Sequence, residues 1–457
     1  MIEKLKVPPK NSLEKPEKSS LEDLALERKK AMLQAEKRRN KFIDILSGRS
    51  TERINFLRRA LFGLGSIVCM ILPSLAITLI PVHNVVENPE YWYEYPIQLT
   101  FICLPGFVAN IVIRSSFYLN VKLLREPVHY LMVLIGTFII LFASFVIGFV
   151  VWCKIGNWQF PIPFFGIILT LNLTVGTLVI ICKECPDRWR KENGFRKRLR
   201  HLMIAILLNQ YLPAVSIFLI GFLFSKVPTT YQITIALFLP IVRELNVRLS
   251  SRFATQATSG DVAQASLSCT QAMATVHAMI LLYTVGSIAT LETSALILGI
   301  DFLINILMSC KIVYLKKMKK ADIDNQIELL QGLVINEMIE LVLPLSQLTC
   351  LLAAYFGPNA DIIGNIGSEY WQYSSIEDID HTIRFVLMFF FVDLISLLLS
   401  GIVLWRCSNI YLHQAFFAIQ EEFGVAFTIQ IGVALSMVSM KISCHGFKFM
   451  LRIGKQT

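Results

Sequence analysis

Five ionisable residues lie inside long apolar stretches, where a charged side chain is expensive. Asp393 sits among Phe389, Phe390, Phe391 and Leu394, with no lysine or arginine within a helical turn. Asp301 has Asn305 one turn on, and His277 lies near the middle of another apolar stretch. Glu337 and Glu340 share a stretch with Asn336, Pro344 and Gln347. An ionised side chain at the centre of a bilayer costs about 2.5–3.5 kcal/mol on insertion scales, so such groups face protein or water and have partners. Carboxylates in that position bind cations or pass protons, and a histidine beside them completes a relay. The alternative for Asp393 and Asp301 is a hydrogen bond that only holds two helices together. For a lone buried histidine such as His277 that alternative is the commoner one.

Spacing sharpens the picture for the stretch that carries two acids. Glu337, Glu340, Pro344 and Gln347 recur at helical intervals and share one face. Pro344 has no N–H, which frees the carbonyl one turn back, at Glu340. Two acids, a free carbonyl and an amide on one face suit a cation or a proton. The competing reading pairs Glu337 and Glu340 with Lys316, Lys317 or Lys320.

Helix breaks are the second kind of signal. Pro73 lies in the first apolar stretch, and Pro240 interrupts a short one that ends in Arg243 and Glu244. A break followed by an Arg–Glu pair suits a gate or an anion contact; it suits the cytosolic end of an ordinary helix equally well. Asn172, Asn209 and Gln210 read as amides that hold membrane helices together. Cys182 and Cys185 make a single pair with no second pair nearby, which does not amount to a zinc site.

These residues must be positioned by membrane helices. The chain has 457 residues, 54% hydrophobic and 17% charged, and its mean hydropathy is +0.58. A soluble globular domain is closer to a quarter charged. Spans of about 20 residues are predicted near 58–81, 97–117, 128–152, 160–182, 202–225, 230–248, 267–290, 294–314, 333–356 and 384–405. An eleventh, over 424–440, is weaker, because crossing there would put Lys448, Arg452 and Lys455 outside. The expected fold is therefore all-α, a polytopic integral membrane protein of 10–11 transmembrane helices.

Charge supplies the orientation. The loops on one side carry Lys154 and Lys226, whereas the inner loop 183–201 carries eight basic residues and 311–322 carries five. Positive charge is retained in the cytosol during insertion, so the N-terminus is expected there. Tyr91, Trp92, Tyr93, Tyr370, Trp371 and Tyr373 fall in the acidic outer loops, as interfacial aromatics do.

Residues 1–56 read as a cytosolic tail, disordered at first and then a charged helix from Ser20 to about Leu46. This helix is expected on the membrane surface, against the cytosolic loops, or simply solvated. Residues 57–457 read as the transmembrane domain. No cleavable signal is visible, so the first span is expected to act as the anchor. Two sets of five spans, 57–226 and 227–406, would run in opposite senses, with Pro73 and Pro240 in the first helix of each half. Inverted repeats of that kind are a transporter design.

The function this organisation suggests is transport of a small solute or ion, coupled to a proton or cation through the buried carboxylates. A chemosensory receptor, an oligomeric channel or scramblase, and a purely structural membrane protein are the alternatives. No nucleophile elbow, phosphate-binding glycine loop or zinc-protease histidine pair is present, so an enzyme is not expected. The net charge of +10 flanks apolar segments, where it faces lipid headgroups rather than nucleic acid. The ten cysteines form no disulfide framework. The expected partners are the lipid bilayer and an unidentified small solute or ion, with no cofactor or dedicated metal site. Plasma membrane and endomembrane are not distinguished.

Overall fold

A computed structural model describes residues 15–48, 127–155, 194–209, 227–258, 291–318, 323–358 and 376–420, with shorter pieces between 75 and 119, at 175–178 and between 265 and 274. Six long helices are bounded among them: α1 (Lys15–Ser47), α2 (Pro127–Ile155), α3 (Thr229–Ala257), α4 (Leu291–Lys317), α5 (Ile323–Phe356) and α6 (Ile376–Ser408). Residues 195–209 and 412–420 are also helical, and the described residues contain no strand. Pro73, His277, Asn172, Gln210, Cys182, Cys185 and the stretch 424–440 lie outside the described residues.

Four of these helices, α2, α4, α5 and α6, are long and apolar enough to cross a membrane. Three present a lengthwise stripe of large apolar side chains on their outer face. On α2 it includes Leu131, Ile135 and Ile139; on α4, Leu296, Leu303, Leu307 and Tyr314; on α6, Phe391, Ile395, Leu398, Ile402 and Trp405. Each stripe follows helical periodicity.

The fourth, α5, differs. Buried positions make up 78% of its apolar segment, against 28–39% in the other three. It is the central helix. α4, α5 and α6 pack on one another, α3 packs on α4, and α1 packs on α5. The shared core is built from Ile297, Leu298 and Ile312 of α4, a run of α5 side chains from Ile327 to Leu343, and Phe385, Val386 and Phe389 of α6.

Local chemistry sets the helix ends. Asp324 lies in the first turn of α5, and Lys316 and Lys317 lie in the last turn of α4, each favourable to the helix dipole. α6 closes on Asn409, which adopts φ 55° and donates its N–H to the Trp405 carbonyl at 2.9 Å. Asparagine is among the few residues that accept this left-handed cap. Lys316 Nζ donates to the Ser408 carbonyl, tying the end of α4 to the end of α6. The competing sequence reading, in which Lys316 pairs with Glu337 or Glu340, does not describe this contact.

α1 ends on Gly48 at φ +73°, whose N–H reaches the Ile45 carbonyl at 3.1 Å. The charged helix expected from Ser20 to about Leu46 is therefore present and slightly longer. Its middle and its C-terminal end behave differently. Leu26, Met32 and Leu33 are exposed, whereas Phe42, Ile45 and Leu46 enter the same core as α4, α5 and α6. Arg39 Nε meets Asp324 Oδ1 at 2.6 Å beside that junction.

Two boundaries depart from the sequence reading. A short helix over 230–248, interrupted at Pro240, was expected; instead α3 runs through Pro240 without a break and continues to Ala257. The alanines of its last turns explain the extension, because Ala254 and Ala257 pack in a second core with Leu202, Ala205, Ile206, Ala265 and Cys269. Likewise α5 begins at Ile323, ten residues before the predicted span at 333. That first part carries Asp324, Gln326, Glu328 and Gln331, which an apolar criterion rejects.

Candidate functional site: a buried carboxylate cluster

On α4, Asp301, Asn305 and Ser309 follow one another at four-residue intervals and are all buried. They occupy the face opposite the Leu303–Leu307 stripe. On α6, Asp393, Ser396 and Ser400 are buried on the face opposite the Ile395–Leu398 stripe. α5 packs on both of these helices with Asn336, Glu337, Glu340, Pro344 and Gln347 all buried. Each polar row faces inward because the other face of its helix is apolar, and the packing of three helices brings the rows together.

The result is a cluster of three acids from three helices. One carboxylate oxygen each from Asp301, Glu340 and Asp393 lies within 4.8 Å of the others. Their exposures are 5%, 0% and 3%. Asn305 Nδ2 donates to Glu340 Oε2 at 2.9 Å. From α3, Arg243 brings its guanidinium to 3.9 Å from Glu340 Oε1. Asp393 Oδ2 accepts no hydrogen bond from a described residue, and neither does Asn305 Oδ1.

Glu337 sits beside this group with its own donors. Its Oε1 accepts from Ser396 Oγ at 2.9 Å and Ser400 Oγ at 3.3 Å. Four carboxyl groups are thus concentrated where three helices meet. Carboxylates so close repel strongly in surroundings of low dielectric constant, and a cation or proton among them relieves the repulsion.

The structure brings together Asp393, Asp301 and Glu340, with Glu337 adjacent, on residues the sequence singles out one by one. It also moves Arg243 from a helix-end role to the cluster. Glu244 is separated from it: Glu244 turns to the exposed side and pairs with Arg248 at 2.7 Å, one turn along α3. Arg243 and Glu244, read from the sequence as a gate, an anion contact or a helix end, serve different faces of α3, because neighbouring residues on a helix point about 100° apart. Pro344 is buried on α5 in the turn after Glu340. Ser396 and Ser400 were not singled out. Their signal is a row of small hydroxyl residues at the third and seventh positions after Asp393.

Asn209 has a structural place elsewhere, donating from Nδ2 to Cys269 Sγ at 3.4 Å in the second core. Comparison of the chain with models of known protein families, with curated proteins and with solved structures finds no match.

Proposed function

We propose that this protein is a polytopic membrane transporter with a cytosolic N-terminus. It moves a small solute or ion, with a proton or cation coupled to that movement through Asp301, Glu340 and Asp393. The convergence of these three carboxylates, contributed by three different apolar helices, carries the reading. A purely structural role needs one hydrogen-bonded acid at each helix contact; three acids in mutual repulsion serve helix packing poorly. The outward apolar stripes on α2, α4 and α6 support a lipid environment, since exposed apolar area on that scale is rare on a water-soluble monomer.

The test is solute and ion flux in proteoliposomes containing the full-length protein. Asp393→Asn keeps the shape and removes the charge, and it is expected to abolish flux while helicity and monodispersity are retained. Full flux in a folded Asp393→Asn protein would remove the carboxylates from the mechanism. Ligand-evoked signalling without net flux in the wild type would favour a receptor instead.

A further inference from the structure

Resting on the transporter reading, we propose that the cluster is a binding site for a divalent, oxygen-seeking cation of calcium-like size, held by Asp301, Glu340, Asp393 and Asn305.

Donor chemistry comes first. The three carboxylates and one amide offer oxygen atoms, with no sulfur or imidazole among the described residues at the cluster. Oxygen-only sets suit hard cations rather than zinc or copper.

Size comes from the distances. Calcium binds oxygen at about 2.3–2.6 Å, so two of its ligands stand at most roughly 4.6–5.2 Å apart. The three acidic oxygens, all within 4.8 Å of one another, meet that limit as they stand. Magnesium binds at about 2.0–2.1 Å and needs an octahedral shell that it rarely obtains from protein alone.

Charge selects the valence. Arg243, 3.9 Å from Glu340 Oε1, offsets one of the three carboxylates. A divalent ion offsets the other two and leaves Glu337 to its donors Ser396 and Ser400, whereas a monovalent ion leaves one more buried negative charge.

The amide is the independent observation. Asn305 is 1% exposed and is fixed by its bond to Glu340. The oxygen and nitrogen of one amide are about 2.3 Å apart, which keeps Asn305 Oδ1 beside the cluster. Oδ1 is buried and accepts no hydrogen bond from a described residue, and the same holds for Asp393 Oδ2. A buried amide oxygen and a buried carboxylate oxygen at one place, both without donors among the described residues, are what a cation would engage.

The experiment is equilibrium binding of radioactive calcium to the full-length protein in lipid nanodiscs, with competition by unlabelled calcium, magnesium and sodium. The expected result is saturable binding, displaced by calcium far better than by magnesium or sodium. Asp393→Asn is expected to weaken it at least tenfold, within the range that loss of a site residue causes. Asn305→Ala, which changes no charge, is expected to weaken it as well, while Asn305→Asp retains it. Should Asp393→Asn not fold, the two Asn305 variants carry the comparison.

Absence of saturable binding in folded wild-type protein overturns the proposal. So does binding that survives both Asp393→Asn and Asn305→Ala. If calcium does not bind but flux still depends on Asp393, the cation site falls and the transporter reading stands. If calcium binds at these residues but no flux of any solute or ion is found, the site stands and the transporter reading falls.

Discussion

Asn305 on α4 donates from Nδ2 to Glu340 Oε2 on α5 at 2.9 Å, with both side chains buried. The bond joins the two helices at the level of the acidic cluster and fixes which way the amide points. Asn305→Ala leaves a buried carboxylate oxygen without its donor. Inter-helix hydrogen bonds of this kind contribute about 0.6 kcal/mol on average and up to about 1.7 kcal/mol. Burial and the charge on the acceptor place the expected loss near the upper figure. Reversible unfolding in mixed micelles measures it, and a loss below the average figure would show that Asn305 does not hold the helices.

The hydroxyls of Ser396 and Ser400 both reach Glu337 Oε1, at 2.9 and 3.3 Å. Because they share one acceptor, their contributions do not add. Replacing either by alanine is expected to cost less than about 1 kcal/mol, since the other remains. The double variant is expected to cost more than the sum of the singles. A double-mutant cycle on unfolding free energies checks this; strict additivity would mean that the two hydroxyls act independently of each other.

At the cytosolic end predicted from charge, two contacts hold α1, and they differ in kind. Arg39 and Asp324 form an ion pair with side chains 50% and 62% exposed, and exposed pairs contribute about 0–1 kcal/mol. Phe42 is 1% exposed in the main core, and truncating a buried phenylalanine costs about 3–5 kcal/mol. Phe42→Ala is therefore expected to release α1 to limited proteolysis, while Arg39→Ala leaves it nearly as protected as in the wild type. Equal protection in the two variants would mean that the apolar contact does not anchor the helix.

Gly48 and Asn409 cap α1 and α6 in left-handed conformations and touch each other. A Cβ on Gly48 would stand 3.3 Å from the Asn409 carbonyl oxygen, on a backbone with φ +73°. Gly48→Ala is expected to destabilise by about 1–2 kcal/mol, the penalty for a side chain in that conformation. Asn409→Gly relieves the same conformation at φ 55° and is expected to be neutral or slightly stabilising. Thermal unfolding of the two variants checks the sign of each; a stabilising Gly48→Ala would contradict the cap.

The individual acids were legible in the sequence, because a charge inside an apolar run stands out without any knowledge of the fold. The face formed by Glu337, Glu340, Pro344 and Gln347 was legible too, since three- and four-residue spacing is a property of one helix. The meeting of Asp301, Glu340 and Asp393 was not. It depends on which helices are neighbours and on how each is rotated, and hydropathy encodes neither. Ser396 and Ser400 escaped for a related reason: a serine in a membrane helix satisfies its own hydroxyl by bonding back along the helix, as Ser346 does to the Val342 carbonyl at 2.8 Å. Its composition gives no warning that a carboxylate is opposite. The early start of α5 at Ile323 was hidden by the polar residues of its first turns, which form no apolar run: Asp324 meets Arg39 of α1, and Glu328 accepts from Ser266.

The deep burial of α5, 78% of its apolar segment, bears on how the chain is made. α5 is the least apolar of the four membrane-length helices, it carries Glu337 and Glu340, and its exposed apolar side chains Leu345, Leu352 and Phe356 lie in its C-terminal part. Synthesised alone it would partition poorly from the translocation machinery into a bilayer. α4 emerges before it with Asn305 ready to meet Glu340, and α6 follows with Ser396 and Ser400 ready to meet Glu337. Membrane insertion of this region is therefore expected to be a three-helix event, in which Glu337 and Glu340 delay the integration of the central helix until Asn305 on one neighbour and Ser396 and Ser400 on the other have arrived.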